Sequence, residues 1–139
     1  MNTLTLATSL QAPLQLHAGL RLVGPEHLPD AVVAAVANTP PRHLIAWSFP
    51  EAGSVGFSQA GRHLLLPFPL LGAGIGSLQP AKGGGFVTLF VRTAEARMID
   101  VLGSGTFQRA ALDELLAHQA GLSQLLGCTV TAEDWGYDC

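Results

Sequence analysis

Few residues in this chain could do chemistry, and the sharpest group surrounds its one lysine. Lys82 is followed by Gly83, Gly84 and Gly85. Glycine-rich backbone can bring its N–H groups close to an anion while the ammonium supplies an opposing charge. The order differs from a P-loop, where lysine closes the glycine run and a Ser or Thr follows it. A second group, Ser104, Gly105 and Thr106 after Gly103, precedes the strongest helical pattern in the chain. Hydroxyls at a helix start cap its first N–H groups, and the same N–H groups attract anions. Lys82, Gly83, Gly84, Gly85, Ser104, Gly105 and Thr106 are therefore the predicted ligand-binding set, for an anionic small molecule.

Other chemistry is sparser. The five histidines, His17, His27, His43, His63 and His118, fall at no zinc-like spacing with one another, with cysteine or with a carboxylate. No metal and no cofactor are expected. The nucleophile elbow G-x-S-x-G does not occur, and Asp100 and Ser104 would need a histidine from elsewhere in the chain to complete a hydrolytic set. Cys128 and Cys139 match no redox or zinc motif and read as reduced thiols.

The elements that must position these residues follow from period and punctuation. Residues 3–10 and 14–22 alternate apolar and polar, the pattern of one-sided strands, and Gln11, Ala12 and Pro13 would join them as an antiparallel hairpin. Pro29 and Asp30 suit the first turn of a short helix carrying Val32, Val33 and Val36, which Asn38, Thr39, Pro40 and Pro41 stop. Strands are predicted over residues 43–49, around Val55 and Phe57, and over 62–66. Residues 64–81 carry no charge and are broken by Pro67, Pro69, Pro80, Gly72, Gly74 and Gly76. That punctuation predicts an apolar loop, with neither a helix nor a central strand running through it.

Residues 86–92 (FVTLFVR) are apolar on both faces and read as a central strand, with 96–102 as its hairpin partner. From Phe107 to Leu126 the leucines fill about half a helical wheel, which predicts one long core helix ended by Gly127. Residues 128–131 would add an edge strand. The expected fold class is α+β: an antiparallel sheet of hairpins with one long C-terminal helix packed on one face and a second short helix.

Composition sets the outer bounds. A length of 139 residues suits one domain spanning 1–139. Apolar residues make up 48% and charged residues 12%, about half the usual charged share of roughly 25%. So little charge predicts apolar surface covered by another chain, hence a homo-oligomer. The net charge of −3 and six scattered arginines give no basic stripe for nucleic acid. The N-terminus lacks a signal-peptide pattern, and prolines interrupt the one uncharged window that could span a membrane. A cytoplasmic protein is expected.

The segment 133–139 interleaves Glu133, Asp134 and Asp138 with Trp135 and Tyr137. It suits either an acidic-aromatic docking tail or a tail folded back with Trp135 over the core edge. Together these features predict a self-associating protein-interaction module without catalytic activity, which would bind its partner through Leu70, Leu71, Ile75, Trp135 and Tyr137. The competing reading is a small enzyme or ligand-binding domain that holds its anion between the Lys82 loop and the start of the long helix.

Overall fold

A computed structural model describes residues 6–10, 13–38 and 43–137. It corrects the expected fold class: the chain is a mixed α/β protein that shows, among the described residues, two sheets and three short α-helices, with no long C-terminal helix on a single sheet. The first sheet comprises β1 (Leu6–Leu10), β3 (Leu44–Phe49), β4 (Ser54–Gln59) and β5 (Arg62–Pro67), antiparallel throughout in the order β1-β3-β4-β5. The second comprises β2 (Gln15–Leu16), β6 (Gly72–Gln79), β7 (Phe86–Arg92), β8 (Met98–Ser104) and β9 (Val130–Tyr137), in the order β2-β8-β7-β6-β9. Its β9 runs parallel to β6, and its other pairs are antiparallel.

The predicted N-terminal hairpin does not form. β1 pairs with β3 and β2 pairs with β8, so the two alternating segments enter different sheets. Period two fixes which face of a strand is apolar, but leaves its neighbour open. Gln59 ties the two sheets together at this point: its Oε1 accepts the Leu16 N–H at 3.1 Å and its Nε2 donates to the Leu14 carbonyl at 2.9 Å. The Gln11–Ala12 turn, the helix stop at residues 39–41, and Asp138 and Cys139 lie outside the described residues.

The predicted long helix is two helices, α2 (Arg109–Ala117) and α3 (Gln119–Leu126), broken at His118 (φ −102°, ψ 8°). Between Leu116 and Leu122 the chain reads Ala-His-Gln-Ala-Gly, which interrupts the leucine stripe. The bend lets each half bury its own leucines. α2 packs on β6 and β7, while α3 packs on β1, β3 and β9 and so joins both sheets. Leu115, Leu122, Leu125 and Leu126 are all fully buried in the central core, which also takes Phe57 and Leu44 from the first sheet and Leu89 and Val101 from the second. Gly127 ends α3 in the left-handed region (φ 72°), as its position predicts.

The far face of the first sheet is covered by α1 (Asp30–Ala37), whose Val32 packs with Leu28, Ile45, Trp47 and Phe49. Here a polar chain is buried as well. Trp47 Nε1 donates to Ser58 Oγ at 3.0 Å, and Ser58 Oγ is bonded to His63 Nδ1 at 2.8 Å. Burial lowers the His63 pKa below its ordinary value, against a smaller upward pull from the Glu26 charge.

The apolar loop predicted over residues 64–81 is also corrected. β5 runs through Leu64 to Pro67, and β6, an interior strand between β7 and β9, occupies residues 72–79. Ala73, Ile75 and Ser77 point into the core, and the glycines between them face outward. No helix among the described residues is long and apolar enough to cross a membrane.

Candidate functional site

The outward face of the second sheet has no helix over it among the described residues, and its own aromatic side chains supply the cover. On β6 the outward positions Gly72, Gly74 and Gly76 carry no side chain, so rings from the neighbouring strands lie flat on the backbone. A Cβ at Gly74 would fall 2.3 Å from the Phe90 ring, and one at Gly76 would fall 2.5 Å from the Trp135 ring. Phe90 and Trp135 stack with centroids 5.7 Å apart and planes at 29°, and Phe86 meets Trp135 edge-on at 6.0 Å. Glu133 fixes the indole: its carboxylate accepts from Trp135 Nε1 at 3.1 Å and from the Thr131 hydroxyl at 2.9 Å. The tail from Glu133 to Tyr137 is therefore an edge strand, with Trp135 laid on the sheet and still 39% exposed.

Two clefts flank this aromatic ridge. One, of about 520 Å³, is bordered by Leu71, Gly72, Phe90, Arg92, Thr131 and Glu133. Cys128 lines it too, a free, half-buried thiol whose pKa burial pushes up. The other, of about 410 Å³, opens between β2 and β7. The Phe86 ring gives it apolar surface, while Leu16 and Leu102 border it with side chains buried in the core; Gln15, His17, Thr88, Asp100 and Ser104 bring polar groups to it.

The hydrogen bonds within the second cleft show which polar valences the protein itself uses. His17 Nδ1 accepts the Gly19 N–H at 3.2 Å, which leaves Nε2 to carry the proton of the neutral ring. Ser104 Oγ accepts the Val87 N–H at 3.3 Å, so its hydroxyl proton is available. Thr88 donates to the Leu102 carbonyl at 3.3 Å and offers lone pairs. Asp100 has no hydrogen bond or ion pair to its carboxylate among the described residues. Asp100, Ser104 and a histidine from elsewhere do line one cleft, but Ser104 and His17 each bond to backbone N–H groups and not to each other.

The predicted ligand set is partly gathered. The glycine segment closes the β6–β7 hairpin, and Gly85 (φ 65°) makes a turn that no side chain would fit, since a Cβ there would lie 2.2 Å from the Leu78 carbonyl oxygen. Gly84 accepts the Phe107 N–H at 2.8 Å and lies against Thr106, so the loop leans on the segment leading to α2. Ser104 and Gly105 line the 410 Å³ cleft, whereas Lys82 and Gly83 are exposed and do not line it. Neither Ser104 nor Thr106 caps a helix: Ser104 ends β8, and α2 starts at Arg109 behind Gln108, which makes no side-chain cap. Of the predicted partner-binding residues, Leu70 and Ile75 are core side chains, while Leu71, Trp135 and Tyr137 are exposed.

Among the described residues no group of three or more His, Cys, Asp or Glu side chains is placed to hold a metal. The period of the N-terminal strands puts Gln15 and His17 on the face toward water or a partner, whereas nothing in the sequence singles out Phe86 and Thr88 as lining a cleft. The alternation of β2 and β7 gives their faces, but only the β2–β8–β7 register brings them together. No family model, no curated protein and no solved structure matches this chain.

Proposed function

We propose that this protein is a non-catalytic module that associates with a second copy of itself through the β6–β9 half of the uncovered sheet face. The observation that carries the reading is a projection and a hollow of complementary kind on one surface. The Trp135 ridge stands beside the 520 Å³ cleft bordered by Leu71, Gly72 and Arg92. A two-fold axis would set each ridge into the other copy's cleft, which is how an isologous interface repeats its contacts.

Exposure and charge support the same reading. Leu71 is 60% exposed, Tyr137 66% and Met98 61%, and only 12% of the chain is charged. Pairing of two β9 edges is disfavoured, because Glu133 and Asp134 would meet like charges and Gly136 (φ 81°) kinks the strand. Association therefore runs face to face.

Light scattering coupled to gel filtration tests the reading, with twice 14.5 kDa as the expected mass at about 50 µM. Leu71→Asp should shift the wild-type mass to that of one chain, while Leu116→Asp, at an exposed position on α2, should leave it doubled. A wild-type protein that runs as one chain, or a Leu71→Asp variant that remains doubled, defeats the proposal.

A further inference from the structure

At the opposite margin of the same face lies the 410 Å³ cleft. Its volume lies in the range of pockets that hold small molecules. The elements around it keep it open. Gly103, paired with both Gln15 and Thr88, has no room for a side chain, since a Cβ there would lie 2.1 Å from the Val87 carbonyl oxygen. An irregularity in the β7–β8 pairing places Asp100 opposite Phe90 and Leu102 opposite Leu89, with Val101 inserted between them. Asp100 and Gly103 therefore both belong to the outward face. The His17 N–H donates to the Val101 carbonyl at 2.8 Å and holds His17 at the cleft that Asp100 also lines.

The chemistry of the lining selects a ligand class. Asp100 is its one carboxylate, and no lysine or arginine lines the cleft. An anion would meet repulsion there, and a cation would find a partner. Around that charge stand neutral groups of both kinds: donors in His17 Nε2–H and the Ser104 hydroxyl, acceptors in Thr88 Oγ1 and the Gln15 amide oxygen. The Phe86 ring supplies apolar surface for the body of the ligand. A simple alkylamine would use the charge and leave the donors and acceptors idle; a neutral sugar would do the reverse. We propose that the cleft between β2 and β7 binds a small polyhydroxylated amine, with its ammonium on Asp100 and its hydroxyls on His17, Ser104 and Thr88.

Glucosamine, glucose and N-acetylglucosamine serve as probes, titrated at about pH 7 and followed by ¹⁵N–¹H amide shifts of the full chain. Glucosamine should move the Gly19 and Gly103 amides and saturate. Glucose and N-acetylglucosamine, which lack the ammonium, should bind at least ten-fold more weakly. Asp100→Asn, at an exposed position whose carboxylate makes no described bond, should keep the wild-type melting temperature and weaken glucosamine at least ten-fold. Equal binding of the three sugars, unchanged affinity in Asp100→Asn, or no shifts with 20 mM glucosamine would each overturn the assignment. The readout is independent of self-association, because Leu71→Asp should bind glucosamine as the wild type does.

Discussion

Gly76→Ala tests whether the aromatic cover of the second sheet is seated as described. The new methyl group would fall 2.5, 2.6 and 2.8 Å from three carbons of the Trp135 ring, and since that ring is partly exposed, it can swing outward. The movement gives up the stack on Phe90 and the edge contact with Phe86, each about 0.5–1.5 kcal/mol. The indole hydrogen bond to Glu133 adds about 0.5–1.5 kcal/mol. Replacing glycine inside a strand returns about 0.5–1 kcal/mol. The expected net loss is about 0.5–4 kcal/mol.

Gly72→Ala is the matched control on the same strand and face, because a Cβ there meets nothing within 4 Å. It should be neutral or stabilise by about 0.4–1 kcal/mol through the unfolded chain. Urea unfolding of both variants measures the gap, and near-ultraviolet circular dichroism, compared with Trp135→Phe, reports whether the indole has left its seat. Equal midpoints for the two variants, with a wild-type aromatic spectrum in Gly76→Ala, would show that Trp135 does not lie on Gly76.

Two further predictions concern the polar groups that hold the sheets. The His63 pKa is lowered in the folded protein, so the folded state binds fewer protons than the unfolded chain below about pH 6.5. Stability from this group is complete above that pH and declines as the pH falls toward the depressed folded value; His63→Gln should flatten the decline in urea midpoints between about pH 7 and 5, and an unchanged slope would count against it. Gln59→Ala leaves the Leu16 N–H and the Leu14 carbonyl without their partner, at about 1–3 kcal/mol for each buried group, and the Leu16 amide should exchange with solvent faster than the amides of β7. Exchange at the wild-type rate would mean that β2 is held by β8 alone.

What was legible in the chain divides along a physical line. Period and punctuation placed β7 at residues 86–92 in the middle of its sheet, gave β3 its alternation of Ile45, Trp47 and Phe49, and ended α3 at Gly127. Each of these is decided by residues close in sequence. The partners of β1 and β2 are decided by strands distant in sequence, so the expected hairpin fails. β6 was hidden for a related reason: glycine at 72, 74 and 76 argues against a strand until it is known that Phe90 and Trp135 fill the space above two of them. The spacing by two was the available signal, since it sets Ala73, Ile75 and Ser77 on the other face. At the cleft, the residue types of His17, Asp100 and Ser104 were visible, but their meeting depends on a register between β2 and β8.

The two sheets solve one problem in two ways, and the difference locates the working surface. In the first, Trp47 lies on Gly56, where a Cβ would fall 2.2 Å from its ring, and α1 closes over it, so that Trp47 is fully buried and its indole N–H turns to Ser58, which is bonded in turn to the buried His63. In the second, Trp135 lies on Gly76 in the same manner, but its indole N–H turns to Glu133 at the surface, and the ring keeps 39% of its area in solvent. Glycine seats under tryptophan flatten a sheet face, and a flat face can accept a helix or another molecule with equal ease. The first sheet receives α1 from its own chain. The second is left flat, aromatic and flanked by two clefts, and the proposed seam and the proposed amine site both use the surface over which no helix lies among the described residues.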